Sequence, residues 1–244
     1  MDTLWNGFVC EEFLFEEHNA TIVFPSPDTC NGWLAIKTEY RDAFPEAAEI
    51  ALLQNGFHLC FLQNDNRWGT NPDLDRKARF IRYVQTKYQL HSRCVPVGMS
   101  CGGLIAIKLA ARYPELIQCL YLDAPVVNYM SCPCGFGVGN PLSDNLNEIL
   151  NALHLKNLAE LMAYREMPLD KLKELTPHKI PVVLVSGDSD TVVPFCENGL
   201  FVQQAYKDAD VEIEVYIKPG GDHHPHGLPD NTPVVDFILR HCAD

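Results

Sequence analysis

The chain has 244 residues, 47% hydrophobic and 21% charged, a composition that excludes disordered and fibrous classes and suits one large domain with its own core. A formal net charge of -13 and a pI near 5.0 oppose contact with phosphate backbones and anionic lipid, so neither nucleic acid nor a membrane is expected as a partner. The ten cysteines form no C-x-x-C pair, and the opening MDTLWNGFVCEEFLF lacks the basic and apolar segments of a secretory leader, which points to reduced thiols in a cytoplasmic protein.

In chain order, GFVCEEFLF and ATIVF read as strands around the polar turn EEHN, KTEYRDAFPEAAEIALLQNG as a helix, and FHLCFLQ as a strand. DLDRKARFIRYVQTKYQL carries apolar residues at helical spacing. RCVPVGM is a short β run, SCGGLIAIKLAARYP a helix and IQCLYLDAP a strand. The strand PVVLVSG, a helix around NGLFVQQAYKD, the strand VEIEVYIK and a last helix from TPVVDFILRHC complete the pattern. Such alternation over the whole length implies an α/β fold with a mainly parallel, twisted sheet, helices on both faces, and ligands at the carboxyl ends of the strands.

One of those ends holds two adjacent nucleophiles, Ser100 and Cys101, in Gly98-Met99-Ser100-Cys101-Gly102. The pattern G-x-S-x-G is complete around Ser100 and fails around Cys101, where position 99 is Met. Glycine on either side lets strand and helix approach closely while the nucleophile sits in a strained turn. In that register Cys101 opens the helix, so it contributes its backbone N–H to an oxyanion rather than its sulfur.

A serine hydroxyl needs a base, and the base needs an orienting carboxylate. After PVVLVSG comes GDSDTVVP, with Asp188 and Asp190. After VEIEVYIKPG comes GDHHPHGL, with His223, His224 and His226. The three histidines are also a candidate zinc group, but a metal site needs three or four convergent ligands and the sequence offers no second cluster at metal-ligand spacing, so none is expected.

With Ser, Asp and His in this order, the sequence resembles the α/β-hydrolase superfamily over nearly its whole length. In that family the nucleophile follows the fifth strand, the acid the seventh and the histidine the eighth, and these positions match Ser100, Asp190 and His223. GDSDTVVP resembles the family pattern G-x-x-D-x-x-V-P, which selects Asp190 over Asp188. PGGDH resembles P-G-x-x-H, which selects His223, although spacing alone leaves the adjacent His224 open.

The resemblance also implies a second oxyanion donor in the loop after ATIVF. That loop reads PSPDTCNGW, departing from the usual His-Gly-x, and Pro25 and Pro27 have no N–H to give. Ser26 is therefore expected in the role, with the amides near Asn31 to Trp33 as alternatives. Trp33 and Trp68, placed in loops at strand carboxyl ends, are expected to line the substrate pocket.

The whole of 1–244 reads as a single domain with residues 126–178, where the family commonly inserts a lid, as a small cap. This segment opens on the glycine-rich VVNYMSCPCGFGVGNP, whose Cys132 and Cys134 form a lone C-x-C, and continues as the short helices DNLNEILNALHL, NLAELMAYRE and PLDKLKEL. LLQNGFHLCF, YLDAPV and HHPHGL further resemble a bacterial subgroup of these hydrolases associated with carbohydrate esters.

The expected activity is that of a cofactor-free carboxylesterase on small soluble acyl esters, acylated carbohydrates among them. The alternatives are a peptidase or acyltransferase using the same triad, and a ligand-binding protein or receptor that keeps the fold.

Overall fold

The apolar runs become strands of one sheet. The structure, a computed structural model, describes residues 3–42, 47–131, 133–140 and 144–243. Its strands are β1 (Thr3–Trp5), β2 (Phe8–Phe15), β3 (His18–Val23), β4 (Leu34–Lys37), β5 (His58–Leu62), β6 (Cys94–Met99), β7 (Leu120–Asp123), β8 (Val182–Gly187) and β9 (Ile213–Lys218). The helices are α1 (Ala47–Gln54), α2 (Asn71–Tyr88), α3 (Cys101–Arg112), α4 (Asn145–Ala152), α5 (Leu158–Ala163), α6 (Pro168–Leu175), α7 (Gly199–Asp208) and α8 (Thr232–His241).

The sheet order is β1-β2-β3-β5-β4-β6-β7-β8-β9. From β5 to β9 every pairing is parallel, whereas β1, β2 and β3 join as an antiparallel meander that ends on β5. This is the α/β-hydrolase architecture expected from the sequence.

The central strands are apolar on both faces because helices cover both. Leu34, Ile36, Leu120, Leu122, Val182 and Leu184 point into a layer shared with α2, α3 and the helices from α4 to α7. Their neighbours Ala35, Tyr121, Val183 and Val185 point the other way, against α1 and α8. The glycine-flanked helix α3 is buried along nearly its whole length, so the turn that precedes it rests on core rather than on a mobile surface. Among the described residues no helix is long and apolar enough to cross a membrane.

Two expectations change. WLAIK, to which the sequence reading assigns no strand, contains β4, a four-residue strand buried on both faces and inserted between β5 and β6. The helix expected over KTEYRDAFPEAAEIALLQNG spans Ala47–Gln54, and residues 43–46 of that stretch lie outside the described residues, as does Cys132 of the C-x-C. A four-residue run carries almost no periodicity, and its central place in the sheet is decided by tertiary pairing. This correction matters for the site, because the loop beside the nucleophile follows β4 and not β3.

Candidate active site

Ser100 lies between β6 and α3 with φ 53° and ψ -119°, a left-handed conformation that a side chain adopts only under constraint. Two glycines make it attainable. A Cβ on Gly98 would lie 2.6 Å from the Gly102 carbonyl oxygen, and one on Gly103 would lie 2.4 Å from Pro125 Cβ. Three backbone hydrogen bonds then lock the turn. Ser100 N donates to Asp123 O at 2.9 Å, and Gly103 N and Val126 N both donate to Ser100 O at 3.0 Å.

The serine hydroxyl meets His223 Nε2 at 3.1 Å, and His223 Nδ1 meets Asp190 Oδ2 at 2.8 Å. All three residues are buried. Each comes from the carboxyl end of a parallel strand: Ser100 after β6, Asp190 after β8, His223 after β9. The other Asp190 oxygen accepts N–H bonds from Val192 at 2.9 Å and Val193 at 2.7 Å. Burial disfavours the ionised carboxyl, yet the His223 contact and these two amides outweigh it and hold Asp190 below the ordinary carboxylate range. An ionised Asp190 fixes the proton of His223 on Nδ1 and leaves Nε2 to accept from the serine.

The competing residues point elsewhere. Asp188 accepts from Gly220 N at 2.7 Å and from the Ser189 hydroxyl at 2.9 Å, and His224 is exposed beside the His223 ring. Cys101 is buried, and that burial pushes its thiol up to about 11, so at neutral pH it is a poor nucleophile. As the first residue of α3 its N–H belongs to the unsatisfied set at a helix N-terminus, next to the serine.

Ser26 and Trp33 do not reach this place. β3 runs antiparallel to β5, with Val23 opposite Leu59 near the start of β5, so the exposed Ser26 lies at the amino edge of the parallel strands. Trp33 directly precedes β4 at that same edge, stacked on His91 with ring centroids 4.2 Å apart. Trp68 does follow β5 at the carboxyl edge, but it is fully buried against Tyr129, whose hydroxyl donates to the Trp68 carbonyl at 2.9 Å. It is therefore part of the core under the site rather than an exposed wall.

Residues that sequence reasoning missed lie beside the elbow instead. The loop after β4 packs on the elbow: Thr38 Oγ1 donates to Gly102 O at 2.7 Å, and the Tyr40 hydroxyl contacts the Cys101 side chain and Arg67. Burial raises the Tyr40 hydroxyl well above the ordinary phenol range, so it stays protonated as a donor. Arg67 is held by Glu148 of α4 through bonds of 3.0 and 2.6 Å and by Asn145 at 3.0 Å. The apolar run WLAIK was the one available signal, and it would have moved the loop from residues 25–33 to 38–42.

His223, His224 and His226 bring one donor atom each to within 4.8 Å of one another. They are the group among the described residues able to hold a cation. In the structure, however, the Nδ1 atoms of His223 and His226 are engaged by Asp190 and Asp123, and Nε2 of His223 by Ser100.

The model of the prolyl oligopeptidase family, peptidase S9, matches residues 61–241, most of the chain. The chain belongs to that family. Solved structures with the same fold include the acylaminoacyl peptidase of Pyrococcus horikoshii, with a TM-score of 0.71, 15% identity and coverage of 95% of this chain and 41% of that one. A dipeptidyl peptidase 4 from Porphyromonas gingivalis gives a TM-score of 0.68 at 15% identity, over 96% of this chain and 35% of that one. A truncated carbohydrate esterase from gut microbiota gives 0.69 at 15% identity over 100% of both chains. This prolyl oligopeptidase family member thus spans about two fifths of the length of the archaeal peptidase. No curated protein matches its sequence significantly.

The environment of Asp190 has a measurable consequence. Its folded-state pKa lies below the unfolded value, so its ionised form adds stability that is present above the ordinary carboxylate range and lost as pH falls through the folded value. Urea unfolding between neutral pH and pH ~3 should show a steeper acid decline in wild type than in Asp190→Asn. Parallel curves for the two proteins would contradict this direction.

Proposed function

We propose that this serine hydrolase of the prolyl oligopeptidase family cleaves small acyl esters, acylated carbohydrates among them, through an acyl-enzyme on Ser100. The observation that carries the reading is the buried chain Ser100 Oγ to His223 Nε2 to Asp190 Oδ2, at 3.1 and 2.8 Å, on a strained turn at a helix N-terminus. In this reading His223 takes the serine proton as Oγ attacks the ester carbonyl and returns it to the departing alcohol. Water then cleaves the acyl-enzyme with His223 as base, while Asp190 keeps the imidazole in the productive tautomer.

The Cys101 N–H is one oxyanion donor in this scheme. The second is the Tyr40 hydroxyl, a protonated phenol in the loop after β4 that touches Cys101. Residues 126–178 act as the cap, with Glu148 and Asn145 of α4 reaching Arg67 at the rim.

Two observations support an ester over a peptide. The likeness to the carbohydrate esterase runs over the full length of both chains, whereas that to the archaeal peptidase leaves more than half of the peptidase unmatched. On the far side of Glu148, a cavity of 740 Å³ that neither Ser100 nor His223 lines carries Asp65, Asn66, Asn71, Glu148, Asn151 and Tyr164, amides, carboxylates and a π-face of the kind that hydrogen-bond and stack on a hydroxylated ring beyond the reacting ester. The peptidase reading is favoured by the family itself and by the acylaminoacyl peptidase neighbours.

A panel of acetylated monosaccharides, p-nitrophenyl esters and acylaminoacyl p-nitroanilides decides between them. The ester reading expects kcat/KM on the best ester to exceed that on the best anilide by at least ~100-fold, and the reverse ranking would make the chain a peptidase. On the best substrate Ser100→Ala should lower kcat by about 10⁶-fold, whereas Cys101→Ala should cost less than about tenfold because its amide survives. Tyr40→Phe should lower kcat by about 10²-fold with little change in KM. Turnover abolished by Cys101→Ala and not by Ser100→Ala would reverse the assignment of the nucleophile.

A further inference from the structure

A second aspartate–histidine pair lies beside the first and takes no part in the scheme above. Asp123 ends β7, and its side chain and that of His226 are both fully buried. The carboxylate accepts from His226 Nδ1 at 2.7 Å, from Gly227 N at 2.6 Å and from the Tyr121 hydroxyl at 3.1 Å. The backbone oxygen of the same Asp123 accepts the N–H of Ser100 at 2.9 Å. One residue therefore holds the nucleophile's turn through its main chain and the histidine loop through its side chain.

We propose that Asp123 and His226 form a positioning pair that sets the His223 ring against Ser100. The inference rests on the reading of Ser100 and His223 as the reacting pair. His223 sits in a segment between β9 and α8 with no regular secondary structure, the kind of segment whose position drifts unless side chains tie it down. Asp190 holds the ring at Nδ1, and the bond at Nε2 is with the reacting Ser100 hydroxyl itself, so a restraint that persists while the proton moves must come from other contacts.

Two rings pack edge-to-face on His223, the exposed His224 at 4.8 Å and the buried His226 at 4.9 Å with planes at 76°, and the buried one supplies the restraint tied to the sheet. His226 is itself fixed by Asp123, and Asp123 by the sheet through the β7 pairing with β6 and β8. The route from Ser100 to His223 thus runs through Asp123 and His226 as a short set of rigid contacts. A displacement of ~1 Å in such an arrangement costs about 10²-fold in rate.

The two pairs are not interchangeable. Asp123 engages His226 and Asp190 engages His223, each at Nδ1, and only His223 carries its Nε2 to the serine. Asp123 and His226 touch no reacting atom, so their removal should slow the chemistry without altering how substrate is held.

The test compares His226→Asn, His226→Gln and Asp123→Asn with wild type. Asparagine places its amide N–H near the Nδ1 position and can still donate to Asp123, whereas glutamine places it near Nε2 and cannot. Three quantities are measured: kcat and KM on p-nitrophenyl acetate, the second-order rate of labelling by a fluorophosphonate, and the thermal midpoint by circular dichroism. For folded His226→Gln and Asp123→Asn we expect kcat and labelling rate to fall by about 10²-fold with KM changed less than about threefold, and His226→Asn to recover to within about tenfold of wild type.

Equal losses in the Asn and Gln variants, or wild-type labelling rates in a folded Gln variant, would overturn the proposal. A KM that rises while kcat holds would also overturn it, by showing a substrate-binding role. Wild-type protein that does not label removes the reading on which the inference rests, and the inference with it. Labelling of wild type together with unaffected variants overturns the inference alone.

Discussion

The backbone of Ser100 is the constraint from which the rest of the site follows. A non-glycine residue at φ 53° and ψ -119° costs about 1–3 kcal/mol and survives only where its surroundings over-determine it. Here β6 fixes one side of the turn and the buried α3 the other, with glycine at 98 and 103 where a side chain would collide and at 102 where it would crowd Thr38. The conformation thrusts the hydroxyl out of the strand direction, toward the carboxyl edge of the sheet where β8 and β9 deliver Asp190 and His223. A relaxed turn would lay the serine along α3 and separate it from the histidine.

Electrostatics then decides which of two adjacent nucleophiles is equipped to act. Both Ser100 and Cys101 are buried, but only the serine has a base at 3.1 Å. The thiol is instead held protonated by the same low-dielectric setting that makes each carboxylate contact in the site strong. Burying Asp190 and Asp123 is tolerable because each is met by an imidazole nitrogen and by backbone amides, Val192 and Val193 in one case and Gly227 in the other. A buried carboxyl group with such partners is rigid, which suits a residue whose task is to hold a ring in place.

Much of this was legible in the sequence, and the failures fall where the deciding property is not local. The glycine register singled out Ser100, and GDSDTVVP placed an acid after a recognisable strand, because both signals are local and dictated by backbone sterics. Strand direction is not a local property. ATIVF reads the same whether it runs with the sheet or against it, and the pairing of β3 with β5 is antiparallel, which carries Ser26 to the far edge and with it the predicted oxyanion loop. Trp33 followed the same error, since it precedes β4, a strand too short to leave a period. Asp123 and His226 were visible as letters, in YLDAP and HHPH, but nothing in the spacing of residues 103 positions apart announces a contact.

The central claim is that the fold activates the Ser100 hydroxyl and not the neighbouring thiol. The most direct measurement is the site of modification: a fluorophosphonate reacted with the native protein at neutral pH, followed by proteolysis and fragmentation of the peptide that carries both residues. A single phosphonyl group on Ser100, lost when the protein is denatured before exposure to the probe, is the result the account predicts. An adduct on Cys101, or none in folded protein, would contradict it.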